Sequence, residues 1–243
     1  MKSNSETGHA KNVANFQNLI NCLSSYGTNY NPAKDTLKIP HLNTIAIKAQ
    51  NDLFNVIDKK TNFNNAVINR SRAFENLLSL STRLVNALKA TDAPPQRVDD
   101  AKGFQRKMQG KRAKAIAMPV DENQPVPVTI STSQRSYDQQ IQHFAGLISV
   151  LKSEESYKPN EGELKIETLT AKQNELLVKN NEVSVAHTFI SKARIERNET
   201  FYSNNSGLVD TALEIKNYVK SAYGANSPQY KQISGIQFKH IKA

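Results

Sequence analysis

The stretch FQNLINCL (residues 16–23) returns as FAGLISVL (residues 144–151), with its phenylalanine, leucine, isoleucine and final leucine each repeated 128 positions later. The shared pattern F-x-x-L-I-x-x-L spaces its apolar residues by the three- and four-residue steps of one helix face. Further along, Tyr30-x-Pro32 and Leu37-Lys38-Ile39-x-x-Leu42 return as Tyr157-x-Pro159 and Leu164-Lys165-Ile166-x-x-Leu169, now 127 positions later. One residue deleted from the intervening loop reconciles the two spacings. The chain therefore reads as two copies of one helical unit, and a repeat of this kind governs the fold.

The match continues as position rather than identity. Leu42, Ile45, Ala49, Leu53, Val56, Lys60, Phe63, Val67, Arg70, Phe74 and Leu77 form one row at helical spacing. The same positions in the second copy are Leu169, Lys172, Leu176, Asn180, Val183, His187, Ile190, Arg194, Arg197, Phe201 and Asn204, a more polar seam. The rows run on through Leu84 and Leu88, and through Leu208, Ala212, Ile215 and Val219. Helices are expected at about 8–25, 41–90, 95–110, 132–154, 167–222 and 228–234, the last giving way near Gly235 to an extended Ile236-Gln237-Phe238. A fifty-residue helix would span about 75 Å at 1.5 Å per residue. Breaks are expected where asparagines cluster, at Asn62, Asn64 and Asn65 and at Asn204 and Asn205. The fold class that follows is all-α: an elongated bundle of two tandem pseudo-symmetric long-helix units, residues 1–115 and 132–243, joined by a proline-containing linker at 116–131 and packed as one bundle.

Composition agrees. Only nine glycines and nine prolines punctuate 243 residues, which favours long helices over a many-stranded sheet. No run approaches the ~18 apolar residues of a membrane span, and the first residues lack a secretory h-region, so a cytoplasmic location is expected. The single cysteine, Cys22, lies in the apolar row of the first helix and is expected to be a buried, inert thiol. Residues 1–115 hold 18 Lys+Arg against 8 Asp+Glu, whereas residues 116–243 hold 14 of each, so the whole excess of +10 sits in the first copy. Such asymmetry suits an anionic partner.

Two features could carry chemistry. Arg70 and Arg197 occupy equivalent seam positions where an apolar residue is the default, as do Lys60 and His187. An unpaired buried charge is costly, so each arginine should find a carboxylate such as Glu75, Glu196 or Glu199, or snorkel to the bundle edge; the functional alternative is an internal anion site where the two arginines meet. The second feature is the run AKGFQRKMQGKRAKA, which clusters Lys102, Arg106, Lys107, Lys111, Arg112 and Lys114 as a candidate phosphate-backbone contact. The five histidines are scattered without metal-ligand spacing, and the chain has no phosphate-binding glycine loop and no nucleophile elbow. No cofactor, metal or catalytic residue is expected.

The segments GHAKNVANF (8–16), YNPAKDTLKIPHLNT (30–44), LSTRLVNALKA (80–90), DDAKGFQRKMQGKRA (99–113) and YGANSPQYKQISGIQF (223–238) resemble a group of uncharacterised helical proteins of Bacteroidetes-type bacteria. The resemblance covers most of the chain, implies no activity and carries over no catalytic or binding residue. Since the strong signals concern packing, the expected function is that of a non-catalytic helical interaction or scaffold protein with a protein partner. The alternative is binding of nucleic acid or another polyanion through the basic first half.

Overall fold

Several helix boundaries follow local chemistry in the computed structural model, which describes residues 8–110 and 135–241. Ser136 and Ser227 each accept a hydrogen bond from the backbone N–H three residues on, capping the helices that follow. Pro95 and Pro228 open their helices at the position where a missing N–H costs nothing. Gly224, at φ 90°, stops another by a backbone turn that a side chain would resist.

Eight α-helices and three single 3₁₀ turns result, with no strand among the described residues: α1 (His9–Ser25), α2 (Ile39–Phe74), α3 (Leu77–Lys89), α4 (Pro95–Met108), α5 (Tyr137–Lys152), α6 (Ile166–Tyr202), α7 (Leu208–Tyr223) and α8 (Pro228–Ser234). The all-α class holds. None of the described helices is long and apolar enough to cross a membrane.

The two expected fifty-residue helices are each broken. Asn62, Asn64 and Asn65 lie inside α2, with exposed side chains. There they cost only the few tenths of a kcal/mol that asparagine gives up in a solvated helix. The break comes instead at Glu75–Asn76, after which Leu77, Leu84, Val85 and Leu88 turn a strongly amphipathic face to the core. In the second copy the break does fall on the asparagines: Asn205 takes a left-handed φ of 61° and its N–H donates to Asp210 Oδ2 at 3.0 Å. This break holds five residues against two, so the structural counterpart of Leu77 is Leu208, each opening a helix as a buried leucine. Asn204, expected at that place, is exposed.

Gly207 closes the longer break. A β-carbon there would stand 2.7 and 2.8 Å from backbone N and O of Ser203, atoms that cannot swing away. We expect Gly207→Ala to destabilise the protein by about 1–3 kcal/mol, the cost of an overpacked site, read as a lowered urea midpoint. An unchanged midpoint would show that the backbone yields freely.

The chain forms two compact units, residues 1–63 with 186–243, and residues 64–185. These do not coincide with the two sequence copies. Their boundary falls within α2 and α6 rather than in the proline-containing stretch at 116–131. The first unit takes its opening helix from copy one and its closing helices from copy two; the second does the reverse. The first core gathers Phe16, Leu19, Ile20 and Leu23 of α1 with Leu42, Ala46 and Ala49 of α2, Phe201 of α6, Leu208, Ala212, Ile215 and Val219 of α7, and Ile233 of α8. The second gathers Phe74 with Leu77, Leu84 and Leu88 of α3, Ala101 and Met108 of α4, Phe144, Leu147 and Leu151 of α5, and Leu169 and Leu176 of α6. There Gly146 of α5 leaves room for the Phe104 ring of α4, one edge of which would lie 2.2 Å from an added β-carbon.

Both units carry one tyrosine clamp. The buried Tyr30 hydroxyl donates to the Leu37 carbonyl at 2.7 Å, and that of Tyr157 to the Leu164 carbonyl at 2.9 Å. Burial raises both phenols, that of Tyr157 to about 12, so each remains a donor at any physiological pH. Charge is also redistributed relative to the copies: the first unit holds 15 Lys+Arg against 8 Asp+Glu and the second 17 against 14. The basic excess of copy one is thus shared between the units, and the first is the more cationic.

Candidate functional site

In the second unit Arg70 lies on the last turns of α2 with its guanidinium 4.0 Å from the centroid of the Tyr137 ring. Its Nη1 donates to Asn180 Oδ1 at 3.0 Å, and Asn180 Nδ2 donates to Asp138 Oδ1 at 2.7 Å. Phe74 meets Tyr137 edge-on at 4.7 Å. The charge is therefore balanced by a ring face and, through one carboxamide, by a carboxylate. None of the glutamates expected as its partner is involved. Arg70 Nε is buried without a partner.

Arg197 belongs to the first unit and finds its own neighbours there. Its Nε and Nη2 donate to Asn198 Oδ1 at 3.1 and 2.8 Å, and burial lowers its pKa. Close by, His9 packs edge-on against Phe201 at 5.4 Å and 5.8 Å from the Tyr202 ring. Arginine, ring and phenylalanine recur at matched positions: Arg70 with Tyr137 and Phe74, Arg197 with His9 and Phe201. Each arginine's partners lie within its own unit, and neither makes an ion pair among the described residues.

Lys60 and His187, expected in the buried seam, are exposed, with the His187 ring 5.8 Å from Phe63. They lie beyond the first unit's core, which ends on α2 at Ala49. Cys22 is half-buried and free. A third polar group joins α2 to α6 in the first unit: Thr200 Oγ1 donates to Asp52 Oδ2 at 2.6 Å and accepts from Lys48 Nζ, which also reaches Asp52 at 2.9 Å. All three side chains bond one another, as an interhelical clamp does.

Of the basic run, Lys102 is paired with Asp99 at 2.8 Å and Lys107 stands 5.5 Å from the Phe104 centroid, while Arg106 is exposed. Lys111, Arg112 and Lys114 lie outside the described residues. The side chain of Arg135 folds over Gly110, bringing another cation to the end of α4. A helix C-terminus tolerates such charges well.

One further constellation joins residues far apart in the sequence. Residues 235–241 run non-helically along α1, held by carboxamides: Asn12 donates to the Lys239 carbonyl at 2.8 Å and accepts from its N–H at 3.1 Å, and Asn15 donates to the Gln237 carbonyl at 2.7 Å. Lys216 donates to the Ser234 and Ile236 carbonyls, and burial lowers its pKa. Between α1 and this strap lies a cavity of about 410 Å³. The available signal was the row Gly8, Lys11, Asn15, Asn18 at helical spacing within residues 7–34, which contain no acid, matched by residues 215–243, which contain none either.

No family model matches the chain, and no curated protein or solved structure was found to match it. Among the described residues no group of three or more His, Cys, Asp or Glu is placed to hold a metal ion.

Two histidines set a pH response. Burial and then the Arg197 charge lower the pKa of His9; burial and then Lys107 lower that of His143. The unfolded chain takes up protons near the ordinary value of about 6.5, where the folded chain still refuses them. Stability contributed by neutral His9 and His143 is thus present above that pH and lost as pH falls toward their folded values. We expect a lower melting temperature at pH 5.5 than at 7.5, with the difference reduced in the His9→Gln/His143→Gln variant. A difference of the same size in that variant would assign the acid sensitivity elsewhere.

Proposed function

We propose that this is a non-catalytic interaction protein that presents outward apolar side chains of its long helices to a protein partner. The observation that carries the reading lies on the first unit's part of α2, where Ile47, Phe54 and Ile57 share one row and are 62%, 56% and 58% exposed. Soluble surfaces seldom leave large apolar residues uncovered in register without a partner. Beside Ile47, a cavity of about 450 Å³ runs between α1 and α2, lined by Ala10, Ala14 and Ala46, whose small side chains leave space for an inserted one. Two of the polar clusters, Arg70–Asn180–Asp138 and Lys48–Asp52–Thr200, support the same reading, since their side chains are spent on holding helices together. We further read the chain as an internal duplication, supported by the paired tyrosine clamps and the matched arginine–ring–phenylalanine sets, and as a cytoplasmic protein, in keeping with its single free thiol.

The test is recovery of a partner from native lysate by the wild-type protein and by Phe54→Glu/Ile57→Glu, each with and without nuclease. A partner that survives nuclease and is lost with the variant supports the reading; recovery unaffected by the variant would place the contact elsewhere. One observation favours polyanion binding as a second reading: Arg106, Lys107 and Arg135 gather at the end of α4, and none makes an ion pair among the described residues. Retention on nucleic acid that weakens with salt and is lost in Arg106→Glu/Lys107→Glu would support it, while no retention at low salt would remove it.

A further inference from the structure

We propose that the groove between α1 and the 235–241 strap binds a phosphate group. Among the described residues its two cations, Lys11 and Lys239, have no carboxylate partner, and no acidic side chain lines it. The groove is also lined by the carboxamides of Asn18 and Gln232. Asn12 and Asn15 spend their carboxamides on the strap backbone, which sets Lys239 opposite Lys11. The Tyr26 hydroxyl donates to the Gln229 carbonyl at 2.9 Å, and the Gln232 carboxamide lies 3.1 Å from the same hydroxyl on the rim of the groove. Asn18, one helical step beyond Asn15, is exposed on the same row.

Two ammonium groups without a carboxylate partner among the described residues, on a groove that also carries the carboxamides of Asn18 and Gln232, match a doubly charged group with several acceptor oxygens, because charge-assisted hydrogen bonds to such an ion are the strong ones. A cavity of about 410 Å³ admits a phosphate with room for what bears it. A neutral polar ligand would leave both charges unanswered. Because the strap is already pinned by Asn12, Asn15 and Lys216, the site needs little ordering before it binds. Whether the phosphate arrives free or as part of a nucleic-acid backbone is decided by the same experiment. This inference stands apart from the apolar row on α2 and does not depend on it.

The test is titration of the full-length, isotope-labelled protein with inorganic pyrophosphate, and separately with a short single-stranded oligonucleotide, at low and at high ionic strength. The expected result is a saturable shift of the Lys11, Asn18, Gln232 and Lys239 amides. Affinity should fall about tenfold or more in Lys11→Gln/Lys239→Gln, be retained in Lys11→Arg/Lys239→Arg, and change less than about twofold in Lys60→Gln/Lys192→Gln, which removes equal charge elsewhere in the first unit. Asn18→Asp, which disturbs no hydrogen bond of the fold, should weaken binding as well. Saturation by pyrophosphate identifies a free phosphate ligand, and saturation by the oligonucleotide alone identifies a backbone phosphate. No saturable shift at these amides with either probe at low salt, or equal loss in the Lys60/Lys192 control, overturns the proposal.

Discussion

A chain cut within residues 111–134 is expected to yield two halves that fail to fold alone and recover the native fold when mixed. The reason lies in how the units are composed. Residues 1–110 keep α1 and the start of α2 but lose Phe201, Leu208, Val209, Ala212, Ile215, Val219 and Ile233 from the first core. At about 1.5–3 kcal/mol for each fully buried apolar side chain, those seven represent roughly 10–20 kcal/mol. That is comparable to or larger than the roughly 5–15 kcal/mol by which a typical domain is stable. The same half keeps α3 and α4 of the second unit without α5, whose Phe144, Leu147 and Leu151 complete that core. Far-ultraviolet dichroism and sizing of each half, then of the mixture, provide the measurement. Separately the halves should be poorly ordered, aggregated or self-associated, and together they should elute as one helical species. A well-folded monomer from residues 1–110 would mean that the first unit does not need its second-copy helices.

The part of this arrangement that could be read from the chain is the part encoded in local periodicity. Phe16, Leu19, Ile20 and Leu23, and their counterparts from Phe144 to Leu151, announce the helices they form because a buried stripe must recur every three or four residues. Helix ends at Pro95, Gly224 and Pro228 were equally legible, since they depend on residues within one turn. The break at Glu75–Asn76 was not. It serves the packing of α3, and nothing in the local composition separates it from the uninterrupted asparagines at 62–65. Partner choice was equally hidden: a helical stripe states that it will be covered without stating by what, so the grouping of residues 1–63 with 186–243 is not legible in the chain. The site residues divide in the same way. Arg70 and Arg197 stood out because charge is rare in a seam, but nothing in the spacing paired Arg70 with Asn180, itself a seam position 110 residues away, or Arg197 with Asn198. The groove at α1 depends on Lys11 and Lys239, brought together from opposite ends of the chain.

Truncating the founding phenylalanine of either copy is expected to cost about 3–5 kcal/mol, and to do so in different places. Phe16 and Phe144 are both wholly buried and share one place in the F-x-x-L-I-x-x-L pattern, so Phe16→Ala and Phe144→Ala remove the same side chain from two separate cores. Phe16 packs in the core shared by α1, α7 and α8, with Phe238 of the strap edge-on at 6.3 Å. Phe144 lies in the core of α3, α4 and α5. Hydrogen exchange distinguishes the two sites, because local opening reports the stability of the segment that opens. With Phe16→Ala, exchange should quicken in α1, α7 and α8 and change little in α4 and α5; Phe144→Ala should give the opposite pattern. An unfolding curve alone would blur this, since two units need not melt in one step. Equal acceleration across both sets of helices in either variant would mean that the cores open as one cooperative body. The two-core description would then hold for packing but not for energetics.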